Sequence, residues 1–113
     1  MTPDEFRHIA LSFPEATEAI HMNHPDFRVS GKIFATLGYP NTEWGMVKLT
    51  PDQQAQVVHD HPKTFIPIKG AWGRQGGTNV MLRSATRKAL LKALGMAWSN
   101  IALKQLKPKR KTK

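Results

Sequence analysis

The chain has 113 residues, 40% of them hydrophobic and 22% charged, with no cysteine and a formal net charge of +9. Near-average composition at the size of one domain excludes wholesale disorder, and the missing thiols exclude disulfide frameworks, thiolate metal sites and cysteine nucleophiles. No apolar run approaches the ~20 residues of a membrane span, and MTPDEFRHIALSF carries acids where a signal peptide needs cations, so a cytoplasmic, unexported protein is expected.

The first helix is announced by Thr2-Pro3-Asp4-Glu5: a hydroxyl cap, proline at the first helical position and a glutamate three residues after the cap. Phe6, Ile9, Ala10 and Phe13 follow at helical spacing, and Pro14 ends the pattern. A short alternating run lies within residues 15–22. Phe27-Arg28-Val29, the turn Ser30-Gly31-Lys32 and Ile33 to Leu37 read as a hairpin. Trp44 to Leu49 reads as a further strand, ending where Thr50-Pro51-Asp52-Gln53 repeats the capping device and opens a second helix to about His59. Residues 64–68 and 78–82 read as strands, with Pro67 marking an edge or a strand end. Ser84 is the expected cap of a long last helix whose stripe of Leu90, Leu91, Leu94, Ala97, Trp98, Ile101 and Ala102 should cover one sheet face. The fold class is therefore α+β in two layers: an antiparallel sheet of five to six strands with three helices, forming one domain over residues 1–106. Residues 107–113 are expected to be a disordered basic tail.

Charge divides along the chain. All eight acids (Asp4, Glu5, Glu15, Glu18, Asp26, Glu43, Asp52 and Asp60) stand in the first sixty residues with four cations, whereas residues 61–113 hold thirteen Lys or Arg and no acid. Such segregation favours an anionic partner through long-range attraction.

The segment KGAWGRQGG, residues 69–77, raises the question of a phosphate cradle. A P-loop needs Lys and then Ser or Thr after its last glycine, on entry to a helix. Here Thr78-Asn79 and a strand follow, so that reading fails. Two alternatives remain for the loop. In one, Lys69, Trp72 and Arg74 form a wing on nucleic acid, with arginine on phosphate and tryptophan stacked on a base. In the other, Trp72 folds back as a lid on the core and the glycines serve the turn. Arg87, Lys88 and Lys92 on the exposed side of the last helix, and Lys107, Lys109, Arg110, Lys111 and Lys113 in the tail, complete the candidate phosphate contacts. The tail reads equally as a solubilising end.

The histidines His21, His24, His59 and His61 have no carboxylate or cysteine completing a usual zinc set, and no metal or cofactor is expected. No serine occupies a nucleophile elbow, and Asp4, Glu5 and Asp52 are accounted for as first-turn helix residues, so catalysis is not expected. Asp26 beside Arg28 reads as part of a structural hairpin network.

His24-Pro25-Asp26-Phe27-Arg28-Val29, Gly31-Lys32-Ile33-Phe34, Lys48 to Gln53, and Ala71-Trp72-Gly73-Arg74 with Gly76-Gly77 before Val80-Met81-Leu82 together resemble the MmcQ/YjbR family. The resemblance spans nearly the whole chain except the tail. It implies a small fold like that of secretion chaperones, and DNA binding, a label such proteins often carry from a winged-fold comparison. The expected function is nonspecific binding of DNA or another polyanion by a monomer or weak dimer. The alternatives are a protein-interaction module that takes a peptide on a sheet face or edge, or exposes apolar residues such as Met96 and Leu103, and a small-molecule pocket between helix and sheet lined by Trp44, Trp72 and histidines.

Overall fold

The computed structural model describes residues 1–21 and 23–106; Met22 and the basic segment 107–113, with the disorder and phosphate contacts expected there, lie outside the described residues. Helix α1, Pro3–Leu11, begins at a reciprocal cap: the Glu5 N–H donates to Thr2 Oγ1 at 3.1 Å and the Thr2 N–H donates to Glu5 Oε1 at 2.8 Å. The same chemistry opens α2, Pro51–Asp60, where Thr50 and Gln53 exchange bonds of 3.2 and 2.9 Å. Each device satisfies two N–H groups that the helix itself leaves unpaired.

Six strands follow from the alternating segments: β1 Thr17–His21, β2 His24–Val29, β3 Lys32–Leu37, β4 Trp44–Lys48, β5 Phe65–Pro67 and β6 Gly77–Met81. They form one sheet in the order β1-β2-β3-β4-β6-β5, with every neighbouring pair antiparallel. Proline is tolerated in β5 because that strand is an edge. The β2–β3 turn places Ser30 at φ 54° and Gly31 at φ 77°, the left-handed pair that a two-residue hairpin requires. A bulge opposite Phe27 and Arg28 leaves Phe34 as the extra residue on β3, and Phe34 and Ala35 are both buried.

Two expectations change at the helices. The last helix, α4 Arg87–Leu106, starts at Thr86, whose Oγ1 accepts the Ala89 N–H at 3.1 Å. Ser84 lies instead in a short 3-10 turn, where its hydroxyl donates to the Lys63 carbonyl at 2.9 Å and so ties that turn to the start of β5. A fourth helix, α3 Ala71–Arg74, sits inside the glycine-rich segment read as plain loop. Four residues are too few to show helical periodicity in a sequence.

Strand pleating sends alternate residues to opposite sides. Toward α1 and α4 the sheet turns Phe27, Ala35, Val47, Val80 and Phe65, all 0% exposed, against Phe6, Ile9, Leu90, Leu94 and Ala97. Ala89, Ala93 and Ala97 let α4 approach the strands closely. Leu91, expected on that stripe, is 46% exposed, because the buried line runs through Leu90, Ala93, Leu94 and Ala97. Trp98 stacks on Phe13 at 5.9 Å and its Nε1–H donates to the Pro14 carbonyl at 3.0 Å, which closes α4 over the end of α1. Met96 packs partly against the core, while Leu103 is exposed.

Candidate functional site

The opposite side of the sheet is not covered by a long helix. Asp26, Thr36, Met46 and Asn79 are successive cross-strand partners, so their side chains form one row across β2, β3, β4 and β6. This row is the floor of a groove of ≈ 470 Å³. Trp72, Ile68 and Lys48 line it on one side, His24, Pro25 and Tyr39 on the other, and Ile33 lies along it. A smaller recess of ≈ 80 Å³ between Trp72, Met46, Leu49 and Gln75 adjoins the Lys48 end.

The wall bearing Trp72 is built by the backbone of the glycine-rich segment. At Gly73 a Cβ would stand 1.5 Å from the Ile68 carbonyl oxygen, and at Gly76, with φ +111°, it would stand 1.9 Å from that of Leu49. Only glycine permits approaches this close. The Gln54 side-chain amide, from α2, donates to the carbonyls of Gly73 and Gly77, each at 2.9 Å. Trp72 is thereby held over the groove while remaining 56% exposed. It is neither a lid on the main core nor the tip of a long wing.

On the far wall the His24 and Tyr39 rings meet edge to face at 5.7 Å, and Tyr39 is 65% exposed. Asp26 is the acid of the groove, and it is almost wholly buried. Arg28 closes over it in a fork, Nε to Oδ1 at 2.8 Å and Nη2 to Oδ2 at 3.1 Å, and these bonds raise the guanidinium further above its ordinary value. The pair is the hairpin network expected from the sequence, and it neutralises the groove's carboxylate. Lys48, by contrast, has no carboxylate within ion-pair distance among the described residues.

The structure brings three of the expected phosphate-binding residues together: exposed Lys69 and Arg74 flank Trp72 on the α3 segment. Arg87, Lys88 and Lys92 are also exposed, but on α4, in the helical layer behind the sheet. Two of them stand near acids. Glu5 is held below its ordinary value chiefly by the Thr2 backbone N–H, with a smaller contribution from Arg87; Asp60 is lowered chiefly by the Gln56 amide, with Lys92 contributing least. Lys107, Lys109, Arg110, Lys111 and Lys113 lie outside the described residues. The recess expected between helix and sheet is found on the sheet's other side, with Trp72 and His24 in its wall but without Trp44, His59 or His61. Sequence reasoning missed Thr36, Met46, Lys48 and Asn79. Their signal was the strand alternation: each stands between residues of the sealed face.

Fold and groove together define a small two-layer α+β domain with an open antiparallel sheet and one long covering helix. The family model described as YjbR matches residues 11–100, and the chain belongs to the YjbR family. The crystal structure of Deinococcus radiodurans protein DR2400, described by its DUF419 domain, is similar with a TM-score of 0.77 at 16% sequence identity, over 95% of this chain and 83% of that one. Likeness at this identity is likeness of fold. Among curated proteins no sequence match is found.

Proposed function

We propose that the protein binds nucleic acid with little sequence selectivity and performs no catalytic step on it. One observation carries the reading: exposed Trp72 stands between exposed Lys69 and Arg74, beside Lys48, and none of these cations is paired with a carboxylate among the described residues. Three other arginines are engaged, Arg7 with Asp4 and Glu18, Arg28 with Asp26, and Arg83 with Glu43, whereas Arg87 on α4 forms no ion pair among the described residues. Unpaired cations around an exposed aromatic supply both phosphate attraction and a stacking surface. The acid-free second half of the chain, including the cations of α4 and of residues 107–113, adds long-range attraction.

A salt titration tests the proposal. Binding of DNA is expected at ~50 mM salt and falls steeply as salt rises; the K69E/R74E double variant should flatten the log–log slope by about 2, one unit per lost phosphate contact. No binding of any DNA at ~50 mM salt overturns it.

A second reading, peptide addition to the sheet edge, is favoured by Ile20, which is 73% exposed on edge strand β1. Under that reading Ile20→Lys lowers peptide affinity and leaves DNA binding unchanged.

A further inference from the structure

We propose that the open-face groove is a slot for one unstacked nucleobase, so that the protein takes single-stranded nucleic acid in preference to duplex. This rests on the nucleic-acid reading above and names the form of nucleic acid that its site accepts.

The groove's dimensions suit a flat ring and its immediate substituents. At ≈ 470 Å³ it falls in the range of small-ligand sites. Trp72 presents a planar wall that is already positioned, because Gln54 anchors the backbone within α3 at Gly73 and just beyond it at Gly77. Every base has a π-face, so a tryptophan wall accepts any base. Ile33, Met46 and Ile68 supply the apolar remainder of the lining.

The polar groups are placed as a base edge requires. Asn79 and Thr36 stand in the floor row with Met46 between them. Among the described residues neither side chain has a hydrogen-bonding partner, yet no buried side-chain polar atom is left unsatisfied, so both open onto the groove. An amide offers a donor and an acceptor side by side, the arrangement that base edges complement. Phosphate complementarity comes from charge. The groove's carboxylate, Asp26, has both oxygens engaged by Arg28, so it presents little net negative charge to a phosphate. Lys48 stands next to Trp72 without an acidic partner, and Lys69 and Arg74 continue the cationic path on the same segment.

Duplex DNA cannot fill the slot without cost. Its base faces are covered by stacking and its edges are paired, so a base would first have to be extruded. A single strand offers unstacked bases, and an open sheet face bearing an aromatic is a surface on which such bases are bound. An extended peptide is a poorer occupant, because the groove lies on a sheet face and offers it no free backbone ladder.

Fluorescence anisotropy of the full chain with a labelled single strand of about 12 nucleotides and a duplex of the same length, at ~50 mM salt, tests the inference. The single strand should bind at least roughly tenfold tighter than the duplex. Trp72→Ala should remove most of that preference by weakening the single strand far more than the duplex, while Trp72→Phe keeps it. Asn79→Ala, which leaves the loop intact, should reduce the preference several-fold. Thermal melts of each variant within a few degrees of the parent establish that the fold is retained. Equal affinity for the two forms, or a preference indifferent to both Trp72→Ala and Asn79→Ala, overturns the base slot while nucleic-acid binding stands. A mononucleotide that binds as tightly as the strand overturns the strand and assigns the slot to a free nucleotide. Failure of both forms to bind overturns the reading beneath it as well.

Discussion

On the side toward α1 and α4, strands β2, β4 and β6 present Phe27, Val47 and Val80, each sealed completely; on the other side the same strands present Asp26, Met46 and Asn79 along the floor of a groove. Three strands thus serve two surfaces of different chemistry through the period-2 pleat alone. The covered face is apolar apart from buried Thr78, whose hydroxyl donates to the Gly76 carbonyl, and it meets alanine-lined α4 at close range. The uncovered face mixes a thioether, an amide, a hydroxyl and a cation: Met46 is buried in the floor, whereas Thr36 and Asn79 are half-buried and Lys48 is exposed. Under the proposed function, stability and recognition occupy opposite sides of one sheet, and substitutions on the two sides should separate cleanly.

The largest expected effect lies on the covered side. Phe27→Ala should lower the unfolding free energy by roughly 3–5 kcal/mol in denaturant melts, as deletion of a fully buried aromatic does. Trp72→Ala on the uncovered side should cost under about 1 kcal/mol, being half exposed, and act on binding instead. Equal destabilisation by the two would break the comparison. Next comes Gly73→Ala, whose Cβ would collide with the Ile68 carbonyl. A loss of about 1–3 kcal/mol is expected, together with a displaced α3 visible as changed Trp72 emission in a background lacking the other tryptophans. Thr50→Ala removes a capping hydroxyl from α2 and should cost about 0.5–2 kcal/mol in the same melts.

The smallest effect is a pH dependence. Glu5 titrates below its ordinary value in the folded chain because its carboxylate accepts the Thr2 N–H. A depressed folded value means stabilisation that is present above the unfolded value and lost as pH falls through the folded one. Glu5→Gln keeps a capping side chain, as Gln53 does in α2, but cannot titrate. Its melting temperature should therefore fall slightly less than that of the parent as the medium is acidified through the carboxylate range, and an identical profile would remove Glu5 from the account.

The two capped helices and most of the strands were legible because their signals are local; the order of the strands in the sheet was not. Thr2 with Glu5, Thr50 with Gln53, and Ser30-Gly31 each settle their structure within four residues. The position of α4 on the sheet was legible from its stripe, although Leu91 was assigned to the wrong side of it, since the stripe's edge depends on how closely Ala93 and Ala97 let the helix settle. The start of that helix was misplaced because both Ser84 and Thr86 are competent caps; Ser84 is diverted to Lys63 and Thr64, which are distant in sequence. The groove was hidden for a stronger reason. Asp26, Thr36, Met46 and Asn79 become neighbours only once four strands are in register, and no spacing along the chain announces that row. That Lys69, Trp72 and Arg74 stand together was legible because they share one short segment. The direction of Trp72 was not, because it is decided by Gly73, Gly76 and a side chain from α2.

That side chain, Gln54, sits one residue beyond the Thr50–Gln53 cap, and its own N–H donates to the Thr50 carbonyl at 2.8 Å. The first turn of α2 is thus rigidly continuous with the two carbonyls that hold α3. Under the proposed function, a ligand arriving at Trp72 would meet a wall whose ordering has already been achieved during folding, which lowers the entropic penalty of association. The same linkage makes the start of α2 a remote lever on the groove: loosening Thr50 or shortening Gln54 should weaken capture through a faster off-rate, at a distance from any atom the ligand touches.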